Sequence, residues 1–193
     1  MRPRTLSPLV VLGFFFLGGA GCFPCPAPQN PPSNRHAVLV EDFQNRVAQY
    51  IKLHKQVAAS LPALKSTASA QELAQHQRLL AQGISAARIQ AKQGAIFSPA
   101  ISAEFRRLIR MAMQGSNAGR IRASLKEAVK PGLRIRVNNP YPETAALPST
   151  PPTLLLNLPK LPPELDYHLV GRDLVLRDVA ADLAVDLIPA AIP

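Results

Sequence analysis

The chain has 193 residues and a formal net charge of +10, and it contains no Trp and 5% aromatic residues. This length suffices for one domain, and the scarcity of aromatic rings argues against a sugar-stacking groove or a base-stacking platform. The charge is uneven, because residues 78–136 hold 12 basic and 2 acidic side chains whereas residues 137–193 hold 3 basic and 7 acidic ones. The two parts either attract each other within the fold or face separate partners.

The first 21 residues have the pattern of a secretory signal peptide. Arg2 and Arg4 are positively charged, residues 9–17 are almost wholly apolar, and small residues follow at 18–21. The apolar run is shorter than the roughly 20 residues that a membrane-spanning helix requires. The sequence therefore predicts an exported protein, periplasmic or lipid-anchored, whose mature chain has no transmembrane helix.

Cys22 follows the small residues 19–21 directly, an arrangement that resembles the lipobox of bacterial lipoproteins. That resemblance implies that Cys22 is the acylated first residue of the mature chain, and ordinary cleavage near Gly21 is the alternative. Cys25 is then an unpaired thiol, or the two cysteines are oxidised. Five prolines surround the pair and exclude the helix that a redox C-x-x-C motif needs. Residues 22–35 are predicted to form an extended, polyproline-like tether.

Residues 36–132 are predicted to form a helical domain of about four helices. Residues 40–61 have apolar side chains at alternating spacings of three and four, and His54 lies on this stripe, where we expect it at the edge of the core. Ser69 and Glu72 form a capping box that starts a second helix, which we expect to end near residue 93. Ser98 caps a third helix, and residues 120–129 form a fourth.

Residues 133–193 are predicted to be rich in β-structure. "LRIRV" at 133–137 alternates like a half-buried strand, and a proline-rich crossing without regular structure follows it. Four further segments, "TLLLNL", "LDYHLV", "DLVLRDV" and "DLAVDLI", read as short strands, with Gly171 and Arg172 forming a tight turn. The predicted fold class is α+β, a helical bundle followed by a small antiparallel meander.

The segments "AKQGAIFSP", "VNNPYPE" and "LPPELDYHLVGRDLVLRD" resemble a group of small exported bacterial lipoproteins without an assigned activity. The resemblance extends over residues 36–193, and it implies no catalytic residue. The segment "YHLVGRDLVLRDVAADLAVDLI" is also similar to the C-terminal β module of small periplasmic proteins tied to nickel and cobalt homeostasis. This second likeness covers about 22 residues of mostly turn and strand chemistry, so it implies no metal site.

Aspartates recur every four residues near the C-terminus, at Asp178, Asp182 and Asp186. Together with His168 and Asp173 they suggest a cation or hydrolytic site. On a regular strand, however, Asp182 and Asp186 would lie about 13 Å apart on one face, too far apart to hold one ion. We therefore expect a solvated acidic face, and no metal or cofactor.

Basic residues concentrate on the third predicted helix, where Arg106, Arg107 and Arg110 oppose its apolar side. The polyanions available to an exported protein are phospholipid headgroups, lipopolysaccharide and acidic wall polymers, whereas nucleic acid is a poor candidate in that compartment. An ordinary solvated helix face is the alternative.

These features favour a non-enzymatic envelope protein that acts by binding or scaffolding. The alternatives are a periplasmic ligand- or metal-responsive module that uses His168 and the acidic strands, and a hydrolase whose site is assembled from distant residues. The sequence contains no G-x-S-x-G, H-E-x-x-H or glycine-rich phosphate loop.

Overall fold

The computed structural model describes residues 32–65, 69–116, 118–128, 135–141 and 152–193. The predicted signal peptide and both cysteines lie outside these residues. Within Pro31–Pro193 the chain forms one compact unit. None of the described helices is both long enough and apolar enough to cross a membrane.

The described residues form five helices and four strands in an α+β arrangement, which confirms the predicted fold class. The helices are α1 (Pro32–Ala59), α2 (Ala70–Ala87), α3 (Pro99–Ala112), α4 (Ala118–Ala128) and the single-turn α5 (Pro152–Leu155). The strands are β1 (Asn139–Pro140), β2 (Leu165–Val170), β3 (Asp173–Asp178) and β4 (Leu183–Ile188). Because α1 begins at Pro32, it includes the last residues of the segment that was predicted to be a tether.

The predicted starts of the second and third helices are confirmed by their caps. The backbone N–H of Glu72 donates to Ser69 Oγ at 3.2 Å, and the backbone N–H of Ser69 donates to Glu72 Oε2 at 2.6 Å, which completes the capping box. Ser98 Oγ accepts from the third residue of α3, after Pro99 in the first position. The predicted end of the second helix is wrong, since α2 stops at Ala87 and Gly94 adopts a φ of 91° in the loop beyond it.

Two predicted strands are absent from the described residues. Ile135 to Val137 form coil and the start of a turn, and the strand begins two residues later, inside the segment that was expected to be irregular. "TLLLNL" begins in α5, which starts with Pro152 at a position where a missing N–H costs nothing. Leu154 is buried while Leu155 and Leu156 are exposed, a pattern of one inward residue per turn rather than strand alternation.

The sheet is antiparallel, with the order β1-β4-β3-β2, so β2, β3 and β4 form the predicted meander. Val170 pairs with Asp173 across the two-residue turn, where Gly171 has a φ of 61°. The register between β3 and β4 shifts between Leu176 and Arg177, because Val185 has no partner on β3. This bulge changes which side chains of β4 face the helices.

One large hydrophobic cluster joins the helices to a single face of the sheet. At its centre Phe43 of α1, Phe105 of α3 and Phe97 of the loop before α3 pack with ring centroids 5.0–5.7 Å apart. Phe105 also contacts Tyr167 of β2, at 6.0 Å between centroids. A smaller cluster around Tyr141 covers the opposite face of the sheet. The buried aspartates Asp178 and Asp186 lie on this helix-facing side of the sheet.

Candidate functional site

A buried polar contact joins α1 to the end of β3. Asp178 is 0% exposed, and its Oδ2 accepts a hydrogen bond from Tyr50 Oη at 2.6 Å and another from His54 Nδ1 at 2.6 Å. Tyr50 and His54 are four residues apart and so lie on the same face of α1. The other oxygen of Asp178 accepts from the backbone N–H of Ala181 at 2.8 Å. Both carboxylate oxygens are therefore occupied.

The contact changes the titration of its members. The hydrogen bond to Asp178 raises the pKa of His54 above its ordinary value, against the opposing effect of burial. Burial opposes ionisation of Asp178, but the hydrogen bonds from His54 and Tyr50 outweigh it and lower the pKa of this carboxyl. Burial raises the pKa of Tyr50, and the charge of Asp178 raises it further. The contact thus favours the protonated imidazole of His54 and the ionised carboxylate of Asp178.

His54 has no nucleophilic partner of its own among the described residues. In the part of the chain that the structure describes, the His54 ring hydrogen-bonds to Asp178 through Nδ1 and to no hydroxyl or thiol. An oriented imidazole needs such a group, or a substrate cleft, to act as a general base. The geometry therefore supports a structural and pH-sensitive role for His54.

Asp186 of β4 is a second fully buried carboxylate, and it binds backbone instead of side chains. Its oxygens accept hydrogen bonds at 2.7–2.9 Å from the backbone N–H groups of four residues, Gly94, Ile96, Phe97 and Leu187. The first three belong to the loop that leads into α3. Asp186 thus fixes this loop to the sheet by satisfying donors that would otherwise be buried without partners.

These two aspartates overturn the predicted solvated acidic face. Asp178 and Asp186 are 0% exposed, and only Asp182 remains part-exposed, where it accepts from Arg177 Nε at 2.6 Å. The bulge at Val185 places Asp186 on the same face of the sheet as Leu176. This face packs against the helices. His54, expected at the edge of the core, is a buried member of the interior contact.

Arg88 lies beside this interior network and lines a cleft. Its guanidinium carbon is 5.1 Å from the ring centroid of Tyr50, and its Nη2 donates to the carbonyl of Val185 at 3.2 Å. Burial lowers the pKa of Arg88. We call the cavity the Arg88 cleft; it has a volume of about 380 Å³ and is lined by Asp42, Asn45, Arg46, Gln49, Tyr50, Leu53, Arg88, Ala91, Ala95 and Ile96.

A second cavity, which we call the basic groove, lies between the start of α1 and α3. Its volume is about 470 Å³, and its lining consists of Arg35, His36, Leu39, Ala100, Ala103, Glu104, Arg107 and Arg110. Glu104 is held at the centre by Arg107 Nε at 2.8 Å and His36 Nδ1 at 2.6 Å. The hydrogen bond from Arg107 lowers the pKa of Glu104 to about 2, so this carboxylate is ionised at neutral pH.

The three arginines predicted to form the basic site, Arg106, Arg107 and Arg110, do not lie in one environment. Arg107 and Arg110 line the basic groove and are exposed. Arg106 instead donates through Nη2 to the carbonyl of Pro189 at 2.8 Å, near the end of β4. Arg35, which the sequence did not single out, joins the groove from α1. Cys22, the predicted lipid anchor, lies outside the described residues.

His168 contributes to a polar cluster on the opposite face of the sheet. Its Nε2 lies 2.8 Å from Asp166 Oδ2, and its ring is 5.5 Å from that of Tyr141. Arg177 stacks over the Tyr141 ring at 5.3 Å and reaches Asp166 at 3.5 Å. Within the described ranges, no group of three or more His, Cys, Asp or Glu side chains could hold a metal ion. His168 and Asp178 face opposite sides of the sheet, so the structure does not bring them together.

Comparison of the chain with protein-family models, with curated proteins and with solved structures finds no match in any of the three. The resemblance to small exported lipoproteins therefore stays a prediction, and the function is inferred from the geometry alone.

Proposed function

We propose that this chain is an exported, non-enzymatic envelope protein that binds anionic surfaces through the basic groove. The observation that carries the proposal is that Arg107 and Arg110 of α3 line one groove together with Arg35 of α1. Helices from different parts of the sequence thus contribute cations to one surface feature. Glu104 offsets part of this charge but leaves the groove net positive.

The arginines of the basic groove differ in how available their charges are to an anionic surface. Arg107 is engaged with Glu104 through two hydrogen bonds, so its charge is partly neutralised. Arg110 is exposed and makes no hydrogen bond or ion pair among the described residues. We therefore expect Arg110 to contribute more to binding than Arg107.

The position of the groove in the chain suits a protein held at a membrane. Arg35 lies 13 residues after Cys22, and α1 begins at Pro32. The ten residues from Cys22 to Pro31 lie outside the described residues, and a chain of that length can reach at most about 33–36 Å. A lipid on Cys22 would therefore keep the groove within reach of the headgroups, where each cation contributes about 1 kcal/mol.

Co-sedimentation with vesicles tests the groove independently of the anchor. The mature chain carrying Cys22→Ala is mixed with phosphatidylglycerol/phosphatidylcholine vesicles or with pure phosphatidylcholine vesicles, at low and high salt. We expect binding to the anionic vesicles alone, weakened by salt because exposed charges are screened within about 8–10 Å at physiological ionic strength.

Matched variants locate the effect. Arg107→Gln combined with Arg110→Gln should weaken binding by up to about thirtyfold, at about fivefold for each contribution of about 1 kcal/mol, with the larger share from Arg110. Arg78→Gln combined with Arg120→Gln removes the same charge from exposed positions outside the groove. Equal weakening by both pairs would show that net charge, and not the groove, drives binding.

A further inference from the structure

A histidine ring lies in the basic groove against its carboxylate. His36 comes from α1 and meets Glu104 of α3, with Nδ1 of the histidine 2.6 Å from Oε1 of the glutamate. The side chain of His36 is 45% exposed, whereas that of Glu104 is 12% exposed. The imidazole is therefore open to protons from the solvent, while the carboxylate that it contacts is largely enclosed.

The ionisation of Glu104 decides which nitrogen of His36 can take up a proton. An ionised carboxylate accepts hydrogen bonds and donates none. Because Glu104 is ionised at neutral pH, Nδ1 of His36 is the donor in this contact. Nε2 is then the nitrogen that gains a proton on acidification. Among the described residues Nε2 makes no hydrogen bond, so its protonation breaks no contact there.

His36 and Arg107 share one oxygen of Glu104. Arg107 Nη2 donates at 2.5 Å to the same Oε1 that accepts from His36, and Arg107 Nε donates to Oε2 at 2.8 Å. A neutral imidazole leaves the whole charge of Glu104 to Arg107. A protonated imidazole competes for that charge, so more of the Arg107 charge becomes available to an anionic partner. Whichever cation pairs with Glu104, protonation of His36 adds one positive charge to the groove.

The other charges of the groove set the size of this change. Among the described residues, the charged side chains that line the groove with His36 are Arg35 of α1 and Glu104, Arg107 and Arg110 of α3. Three arginines and one carboxylate give two net positive charges, and a protonated imidazole makes three. One further cation at an anionic membrane should raise the affinity about fivefold, the equivalent of about 1 kcal/mol.

We propose that protonation of His36 strengthens the binding of the basic groove to anionic surfaces, so that the groove binds them more tightly in mild acid. Because it regulates the same groove, this role of His36 rests on the proposed function. Histidine is the side chain that ordinarily changes its charge between about pH 5 and pH 8. The response is therefore expected within that range, in which the phosphate of phosphatidylglycerol stays anionic.

Vesicle co-sedimentation at about pH 5 and about pH 8 tests the proposal, with phosphatidylglycerol/phosphatidylcholine vesicles at one ionic strength and the mature chain carrying Cys22→Ala. We expect the affinity to be about fivefold higher in acid. His36→Gln carries no charge at either pH and should bind at both as weakly as the original protein does in base. His36→Lys is charged at both and should bind tightly at both.

His76→Gln is the matched control, because His76 lies on α2 and outside the groove, and this variant should keep the full pH response. Thermal unfolding at both pH values checks that each variant is folded. Anionic binding that is equal at both pH values, or a pH response that survives in folded His36→Gln, would overturn the role of His36 and leave the proposed function standing. Absence of anionic binding at both pH values would contradict both.

Discussion

His54 Nδ1 lies 2.6 Å from Asp178 Oδ2, a contact between residues 124 positions apart in the chain and both buried. It connects the second half of α1 with the last residue of β3. Because both partners titrate, this contact makes the packing of helix on sheet sensitive to pH.

The free energy of unfolding should depend on pH in two windows. The pKa of His54 is raised, so its contribution is complete below the unfolded value near 6.5 and is lost as the pH rises through the higher folded value. The pKa of Asp178 is lowered, so its contribution is present above about 3.8 and is lost as the pH falls through the lower folded value. Urea unfolding at several pH values should therefore find the largest contribution between these limits.

His54→Asn isolates the upper window. The amide of asparagine can still donate to Asp178, but it carries no charge, so the variant should be less stable at pH 6 and should lose less stability than the original protein between pH 6 and pH 9. The difference between the two urea profiles is the quantity to measure. Parallel profiles over this range would contradict a titrating role for His54.

Asp186→Asn should strongly destabilise the protein. Each oxygen of Asp186 accepts hydrogen bonds from two backbone N–H groups. In asparagine an NH₂ group replaces one of these oxygens. Two buried N–H donors then lose their acceptor and face the N–H donors of the amide. At about 1–3 kcal/mol for each unpaired group, we expect a loss of about 2–6 kcal/mol in chemical denaturation.

Asp182→Asn is the matched control for Asp186. Asp182 is part-exposed, bonds Arg177 and has a φ of 49°, a conformation that asparagine tolerates. Its replacement should cost less than about 1 kcal/mol. Similar losses for the two variants would show that burial does not separate these aspartates.

Gly83 of α2 lies close to Val57 of α1. A Cβ at this position would lie 2.5 Å from Val57 Cγ1, whereas a Cβ at Gly119 of α4 would meet nothing within 4 Å. Gly83→Ala should therefore lower stability by about 1 kcal/mol or more, despite the higher helix propensity of alanine. Thermal unfolding should show that adding Val57→Ala relieves the clash. Gly119→Ala should be neutral or stabilising.

Cys22 is tested in the intact cell. If it is acylated, the full chain should incorporate labelled palmitate, and Cys22→Ala should abolish both the label and detergent-dependent membrane association. Cys25→Ala is the matched control and should keep the label. Equal membrane association of all three forms would remove the anchor from the proposed function.

The sequence was most informative where a local rule decides the outcome. The capping box at Ser69 and the turn at Gly171 depend on neighbouring residues, and both were predicted correctly. The face of the sheet on which Asp186 lies depends on a bulge at Val185, and strict alternation of inward and outward residues along a strand does not predict a bulge. The position of His54 on an apolar helical stripe indicated that its side chain lies at the core. Its partner could not be found, because nothing local identifies a contact across 124 residues.

The two buried aspartates also set the order in which this molecule can mature. Their partners in α1 and in the loop before α3 emerge from the ribosome long before β3 and β4, which stand near the end of the chain. Until those last strands are synthesised, the early helices lack the surface that fixes them. The nascent polypeptide is therefore expected to stay loosely structured until β3 and β4 have been synthesised.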